Sequence, residues 1–285
     1  MFRFLLKAFS TLSLLALGFM LSQTASVAEV PLRDGEKMKF RVSWGIFRHA
    51  GELTIEANRV TAQDTDHLRI TTTAASDGIV KVFYPFVATS EAYFDPITGL
   101  LLHANDVSEK KNEVTRQTLT LDYEQRIAAY VNETDPEKST DIKMPEGNPM
   151  DLMMSLVQTR DWDMKPRDKR DALILFDDEF YELTIYADRY EKLRTSYGKF
   201  KTLVLIPKME KTEPKGMFKR GSTVELWLSQ EQQRLPVKIE VKMKVGVGIM
   251  TLIEHQQAEP LNEVHRPKPE ELTADESLKS GISST

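Results

Sequence analysis

Val237-Lys238-Ile239-Glu240-Val241-Lys242-Met243-Lys244-Val245 alternates an apolar with a charged residue at every step. Successive side chains of a strand point to opposite faces, so this pattern describes a strand with one face on a core and one in water. Ile239 and Val241 are expected to be buried, and Lys238 and Lys242 to face solvent. The run Lys37–Trp44 repeats the pattern and places Met38, Phe40, Val42 and Trp44 on one face. Shorter alternating runs occupy Leu53–Ala57, Leu68–Ala74, Val87–Phe94, Leu119–Tyr123, Ile127–Val131, Leu183–Tyr186, Phe200–Ile206 and Val224–Leu228. Leu173–Phe176 is continuously apolar, as in a strand covered on both sides. Asp95-Pro96-Ile97-Thr98-Gly99 and Tyr197-Gly198-Lys199 carry turn chemistry between such runs. The pattern predicts a mainly β chain: an antiparallel curved sheet, sandwich or barrel of about a dozen strands.

One helix is expected over 149–159. Asn148 is placed to cap it, Pro149 suits the first turn, and Leu152, Met153, Leu156 and Val157 form one apolar stripe. A second helical turn is expected at Gly78–Tyr84, ended by Pro85. The apolar and aromatic stretch Ile79–Phe86 reads as core or as the mouth of a cavity.

At the N-terminus, Arg3 and Lys7 precede an apolar run from Ala8 to Leu21, and Ser26-Val27-Ala28 supplies small residues before Glu29. This is the layout of a signal peptide, residues 1–28, cleaved after Ala28. As a helix the run would cover roughly 21 Å against a hydrocarbon core of about 30 Å, too short for an anchor. The expected products are a single β-rich domain over 29–255 and, from Gln256 on, a polar, proline-containing tail without periodicity that reads as disordered. Cysteine is absent, which excludes disulfides, thiolate metal sites and a lipid-anchoring cysteine. The net charge of −5 becomes −7 once Arg3 and Lys7 are removed, which argues against nucleic acid as a partner.

The strand segments also carry a resemblance. Gly35–Gly45 followed by Ala50-Gly51-Glu52-Leu53, the helical stretch from Pro145 through Asp151-Leu152-Met153 to Arg160, Gly198–Thr202 with Pro207, and Val224–Ser229 with Arg234–Val237 appear in an order similar to the bacterial family called domain of unknown function 3108. The resemblance implies an exported β-rich envelope protein and transfers no catalytic residue. Where that family has a tyrosine pair in its central helix, this chain has Ser155-Leu156-Val157.

Chemistry-bearing motifs are few. His49, His67, His103, His255 and His265 are scattered without metal-ligand spacing and read as surface or turn residues. Asp161, Asp163 and Asp177-Asp178-Glu179 offer paired carboxylates, but acids between strands are what turns demand. Ser108–Lys111 and Ser196–Lys199 match Ser-x-x-Lys outside the helical setting that such a nucleophile needs. No catalytic residue, metal or cofactor is expected. The candidate binding surface is the loop Lys208–Arg220, where Lys211, Lys215, Lys219 and Arg220 surround Met217 and Phe218, a composition suited to an anionic lipid, a polysaccharide or an envelope partner. The functional expectation is an exported, periplasmic or extracellular protein that binds an apolar or amphipathic ligand or an envelope partner. A hydrolase of cell-wall or surface polymer, or a structural envelope component, are the alternatives.

Overall fold

The computed structural model describes residues 30, 32–62, 65–176, 178–214, 218–219, 221–244 and 246–258. The expected signal peptide and nearly all of the expected tail lie outside them. One antiparallel sheet of fourteen strands fills the described chain. In chain order the strands are β1 (Lys37–Trp44), β2 (Phe47–Ala62), β3 (Thr65–Ser76), β4 (Phe86–Phe94), β5 (Leu101–Lys110), β6 (Glu113–Asp122), β7 (Ile127–Asn132) and β8 (Thr140–Lys143). After a helical segment follow β9 (Lys169–Phe176), β10 (Glu179–Arg194), β11 (Lys199–Lys208), β12 (Thr223–Ser229), β13 (Pro236–Met243) and β14 (Gly246–Gln256). Two short helices interrupt them, α1 (Gly78–Phe83) and α2 (Leu152–Val157).

The spatial order is β8-β7-β6-β5-β4-β3-β2-β1-β14-β13-β12-β11-β10-β9, so the two halves of the chain are joined where β1 pairs with β14. Each half is a meander of hairpins, and local turn chemistry sets their registers. Asp95 Oδ1 accepts from the amides of Ile97 and Thr98, both at 2.8 Å, and so builds the turn between β4 and β5. Lys111 and Asn112 both have positive φ, the two-residue turn whose twist matches the flanking strands β5 and β6. Where β2 crosses β3, a Cβ on Gly51 would lie 2.3 Å from the Ala75 carbonyl oxygen, so only glycine permits that approach.

The sheet does not close. Two cores hold it together, one centred on β1–β7 and β14 with Phe40, Ile55 and Phe94 and reaching Val204, Trp227 and Val237 of β11–β13, the other on β9–β13 with Ile174, Leu183 and Leu226. Helix α2 stands between them: Met154 and Val157 pack into the first core and Leu156 into the second.

That helix is shorter than 149–159, and its cap differs. Met150 is held extended by a bridge to Ile174, with its amide donating to the Leu173 carbonyl at 3.1 Å and its own carbonyl accepting from Leu175 at 2.9 Å. The helix therefore cannot start before Leu152, and Asp151, not Asn148, caps it by accepting from Met153 and Met154. Beyond Val157 the chain tightens into a 3-10 turn, Gln158–Asp161. The face assignment in β13 holds, with Val237, Ile239 and Val241 buried. Lys238, expected in solvent, instead lies over the Trp227 ring at 4.1 Å and pairs with Glu240, because the long side chain folds down onto the aromatic surface opposite it. Val245 lies outside the described residues.

The stretch Ile79–Phe86 is neither core nor cavity lining. Helix α1 buries no residue, and Ile79, Val82 and Phe83 are 56%, 76% and 72% exposed. Gly78 at φ +56 turns the chain off the end of β3, so the helix projects from the rim of the sheet.

Candidate functional site

The curled sheet leaves a cavity of about 290 Å³ between the inner faces of β3–β7 and the helical segment. Its walls are mostly apolar: Ala92, Leu101, Ala104 and Leu119 from the strands face Met153 of α2 and Leu175 of β9. Period two explains the lining, since residues at alternate positions of neighbouring strands share the concave face. Polar atoms are concentrated in one region, where Ser90, Asp106, Gln117 and Asp151 meet.

The two carboxyls there have unusual surroundings. Burial pushes Asp151 up to about 6, against the opposing effect of its bonds from Met154 and Met153, and the nearby charge of Asp106 raises it further. Asp106 opens onto the cavity but is flanked by protein, and burial raises it too, partly offset by the Ser90 hydroxyl. Asp151 Oδ1 is committed to the α2 cap, leaving the rest of its carboxyl and Asp106 for a polar group inside the cavity. Neither residue was singled out as a site from sequence. Asp151 stood out only within the helical stretch that carries the family resemblance, and Asp106 sits in β5, whose Leu-Leu-His-Ala-Asn-Asp-Val shows no alternation.

At the opposite rim from α1, Glu36, Arg160 and His255 form a buried ionic cluster. Glu36 Oε1 lies 2.9 Å from both Arg160 Nη2 and His255 Nε2, and the three side chains are about a tenth exposed or less. Burial pushes Glu36 up, but the His255 hydrogen bond and the Arg160 charge outweigh it, leaving the carboxyl below its usual range. Arg160 also donates to the Gln233 carbonyl. The cluster ties the start of β1 to the end of β14 and to the 3-10 turn. His255 is thus no surface histidine: its position on β14 beside β1, in the middle of the sheet and invisible in its sequence neighbours, buries it.

The cationic loop between β11 and β12 is described only in part, and Lys215, Met217 and Arg220 lie outside the described residues. Lys211 is engaged by Asp171, at 3.0 Å, and by Glu182. Phe218 is half-buried against the second core and Lys219 is exposed. Of the carboxylates weighed from sequence, Asp161 is in the 3-10 turn and Asp163 is exposed; Asp177 lies outside the described residues, in the connection between β9 and β10. Among the described residues no group of three His, Asp or Glu side chains is placed to hold a metal ion, and no helix is long and apolar enough to cross a membrane.

The family model of a protein of unknown function, DUF3108, matches residues 39–253, from within β1 to within β14. The chain belongs to the DUF3108 family. No curated protein matches it. Among solved structures, a β-barrel-like protein of the domain of unknown function DUF1849 from Brucella abortus aligns with 79% of this chain and 99% of its own at 8% identity and a TM-score of 0.50, which shows a shared fold. An exported-protein candidate with a YmcC-like fold from Bacteroides fragilis aligns at 10% identity and a TM-score of 0.33, with 80% and 99% of the two chains covered. A lipoprotein candidate from Parabacteroides distasonis aligns at 10% identity and 0.30, with 80% and 97% covered. The DUF3108 chain therefore shares the curled-sheet architecture with a β-barrel-like protein at negligible sequence identity.

Proposed function

We propose that this DUF3108 protein is an exported, non-enzymatic envelope protein that holds a small apolar or amphipathic ligand inside its curled sheet. The observation that carries the reading is the cavity between β3–β7 and α2: its walls are apolar, and its polar atoms converge at Ser90, Asp106 and Asp151. Sites of this kind, a few hundred Å³ with few convergent polar groups, are typical of small-molecule pockets. At about 30 Å³ for each water, the volume corresponds to roughly ten waters, enough for a short acyl or prenyl segment. The raised carboxyls favour a head group that offers hydrogen-bond donors or a positive charge. The cationic loop with Lys211, Lys215, Met217, Phe218, Lys219 and Arg220 is proposed as a contact with an anionic lipid, a polysaccharide or an envelope partner.

The test is mass spectrometry of organic extracts from protein purified natively, compared with an Ala104→Phe variant whose added ring fills the cavity. The expected result is a small amphipath in the wild-type extract that is depleted in the variant at unchanged fold. Equal extracts from both, or none from either, would refute the reading. A second reading, hydrolysis, draws on the paired carboxyls. Against it stand the apolar walls and the commitment of Asp151 to the helix cap.

A further inference from the structure

On the outer face of the sheet lies a second cleft, of about 400 Å³, with different chemistry. Arg41 and Ser43 alternate with Phe40 and Val42 of the first core, and Lys238 alternates with the buried Val237 and Ile239, so Arg41, Ser43 and Lys238 share the face opposite those residues, where Trp227 and Leu193 supply an apolar floor. The far wall comes from Leu193–Ser196, where the long β10–β11 hairpin ends. Arg48, just beyond the β1–β2 turn, completes the lining. Four cations line this cleft, and no carboxylate does.

In a chain of net charge −5 that concentration is unbalanced locally. No carboxylate among the described residues pairs with Arg41, Arg48 or Arg194. The carboxylates nearest in register are already occupied: Glu52, opposite Arg41, is bound by Lys39 at 2.8 Å, and Glu240 takes Lys238 at 2.6 Å and Lys242 at 3.0 Å. Ser196 and Thr251 line the same cleft, while the hydroxyls of Ser43 and Thr195, also in its lining, donate to the Ile249 and Gly198 carbonyls. Guanidinium forks beside hydroxyl donors match the geometry of a tetrahedral oxyanion, which accepts several charge-assisted bonds at once.

We propose that this outer cleft binds a phosphate or sulfate group, with Arg41, Arg48 and Arg194 as its charge partners. Two sources carry that chemistry, an anionic glycan and the head group of an anionic lipid. The site is separate from the interior cavity, and neither proposal depends on the other.

The test is calorimetric titration of the full protein with inorganic pyrophosphate at low salt. Compared are the wild type, an Arg41→Gln/Arg194→Gln variant, and an Arg116→Gln/Arg167→Gln control whose arginines lie outside the cleft and are exposed. All four positions are on the surface, so folding is expected to persist, and the thermal midpoint checks it. Losing two charge-assisted contacts should weaken binding by about a hundredfold, with the control unchanged. Absence of wild-type binding, or equal weakening in both variants, would overturn the proposal. The source is then separated by dextran sulfate and by phosphatidylglycerol vesicles. Binding to vesicles that is lost with Ile46→Ser, an apolar tip 88% exposed beside Arg48, assigns the site to a lipid head group. Binding to dextran sulfate but not to vesicles assigns it to a glycan, and binding to neither overturns the proposal.

Discussion

Replacing Asp151 by Asn should make the protein more stable at pH 7.5 than at pH 4, relative to wild type. Asn caps helices about as well as Asp, so its amide oxygen can still accept from Met153 and Met154, now at 2.8 and 2.9 Å from the carboxylate. What changes is the charge. Burial and Asp106 lift the Asp151 carboxyl from its usual 3.8 to about 6. Because the folded value is raised, the native state holds the proton more tightly than the unfolded chain. The associated stability is present below about pH 4 and lost as pH rises through about 6. At about 1.4 kcal/mol per unit, the ionised residue costs the wild type roughly 3 kcal/mol at pH 7.5 and only about 0.5 at pH 4. Asp151 is partly exposed, which trims the difference between the two pH values to about 1–2 kcal/mol. Urea unfolding of both proteins at the two pH values measures it. A variant that is equally displaced at both, or less stable at pH 7.5, would show that the cavity does not burden this carboxyl.

Val241→Asp should cost about 3 kcal/mol or more by placing an unpaired charge in the second core, whereas Lys242→Asp, on an exposed partner of Glu240, should cost under about 1 kcal/mol; equal thermal midpoints would refute the face assignment. Glu36→Gln removes the buried carboxylate that faces Arg160 and His255 and should cost roughly 3 kcal/mol near neutral pH. Since the Glu36 carboxyl is held low, its contribution is present above the usual carboxylate range and disappears as pH falls through the folded value, so the deficit should shrink in acid denaturation curves. Gly51→Ala drives a methyl into the Ala75 carbonyl and should lower the urea midpoint far more than Gly45→Ala, whose Cβ meets nothing within 4 Å, even after the strain of positive φ at Gly45. If residues 1–28 are a signal peptide, N-terminal sequencing of protein recovered by osmotic shock should begin at or near Glu29; Met1 on membrane-bound protein would refute it.

The fold class was legible in the chain because period two is a local property. Each alternation at Lys37–Trp44 or Val237–Met243 reports one half-buried strand without knowledge of its neighbours, and the ordered motifs brought the family into view. Strands whose burial is set by partners rather than by alternation were not legible: β5 carries polar residues toward the cavity, β8 is four residues at an edge, and β14 holds glycines that make room for Trp44. The same reason hides the sites. Arg41 and Arg194 are 153 positions apart in sequence, as are many pairs that never meet, and only the order β1-β14-β13-β12-β11-β10 puts them on one cleft. Asp106 and Asp151 become a pair only because the start of α2 faces the inner side of β5 across the cavity, and Glu36 meets His255 only because the first strand pairs with the last. Local pattern fixes which face of a strand is apolar; the pairing of distant strands and the placement of one helix decide which charges meet, because electrostatic and hydrogen-bonded contacts act over a few ångströms of space and not along the chain.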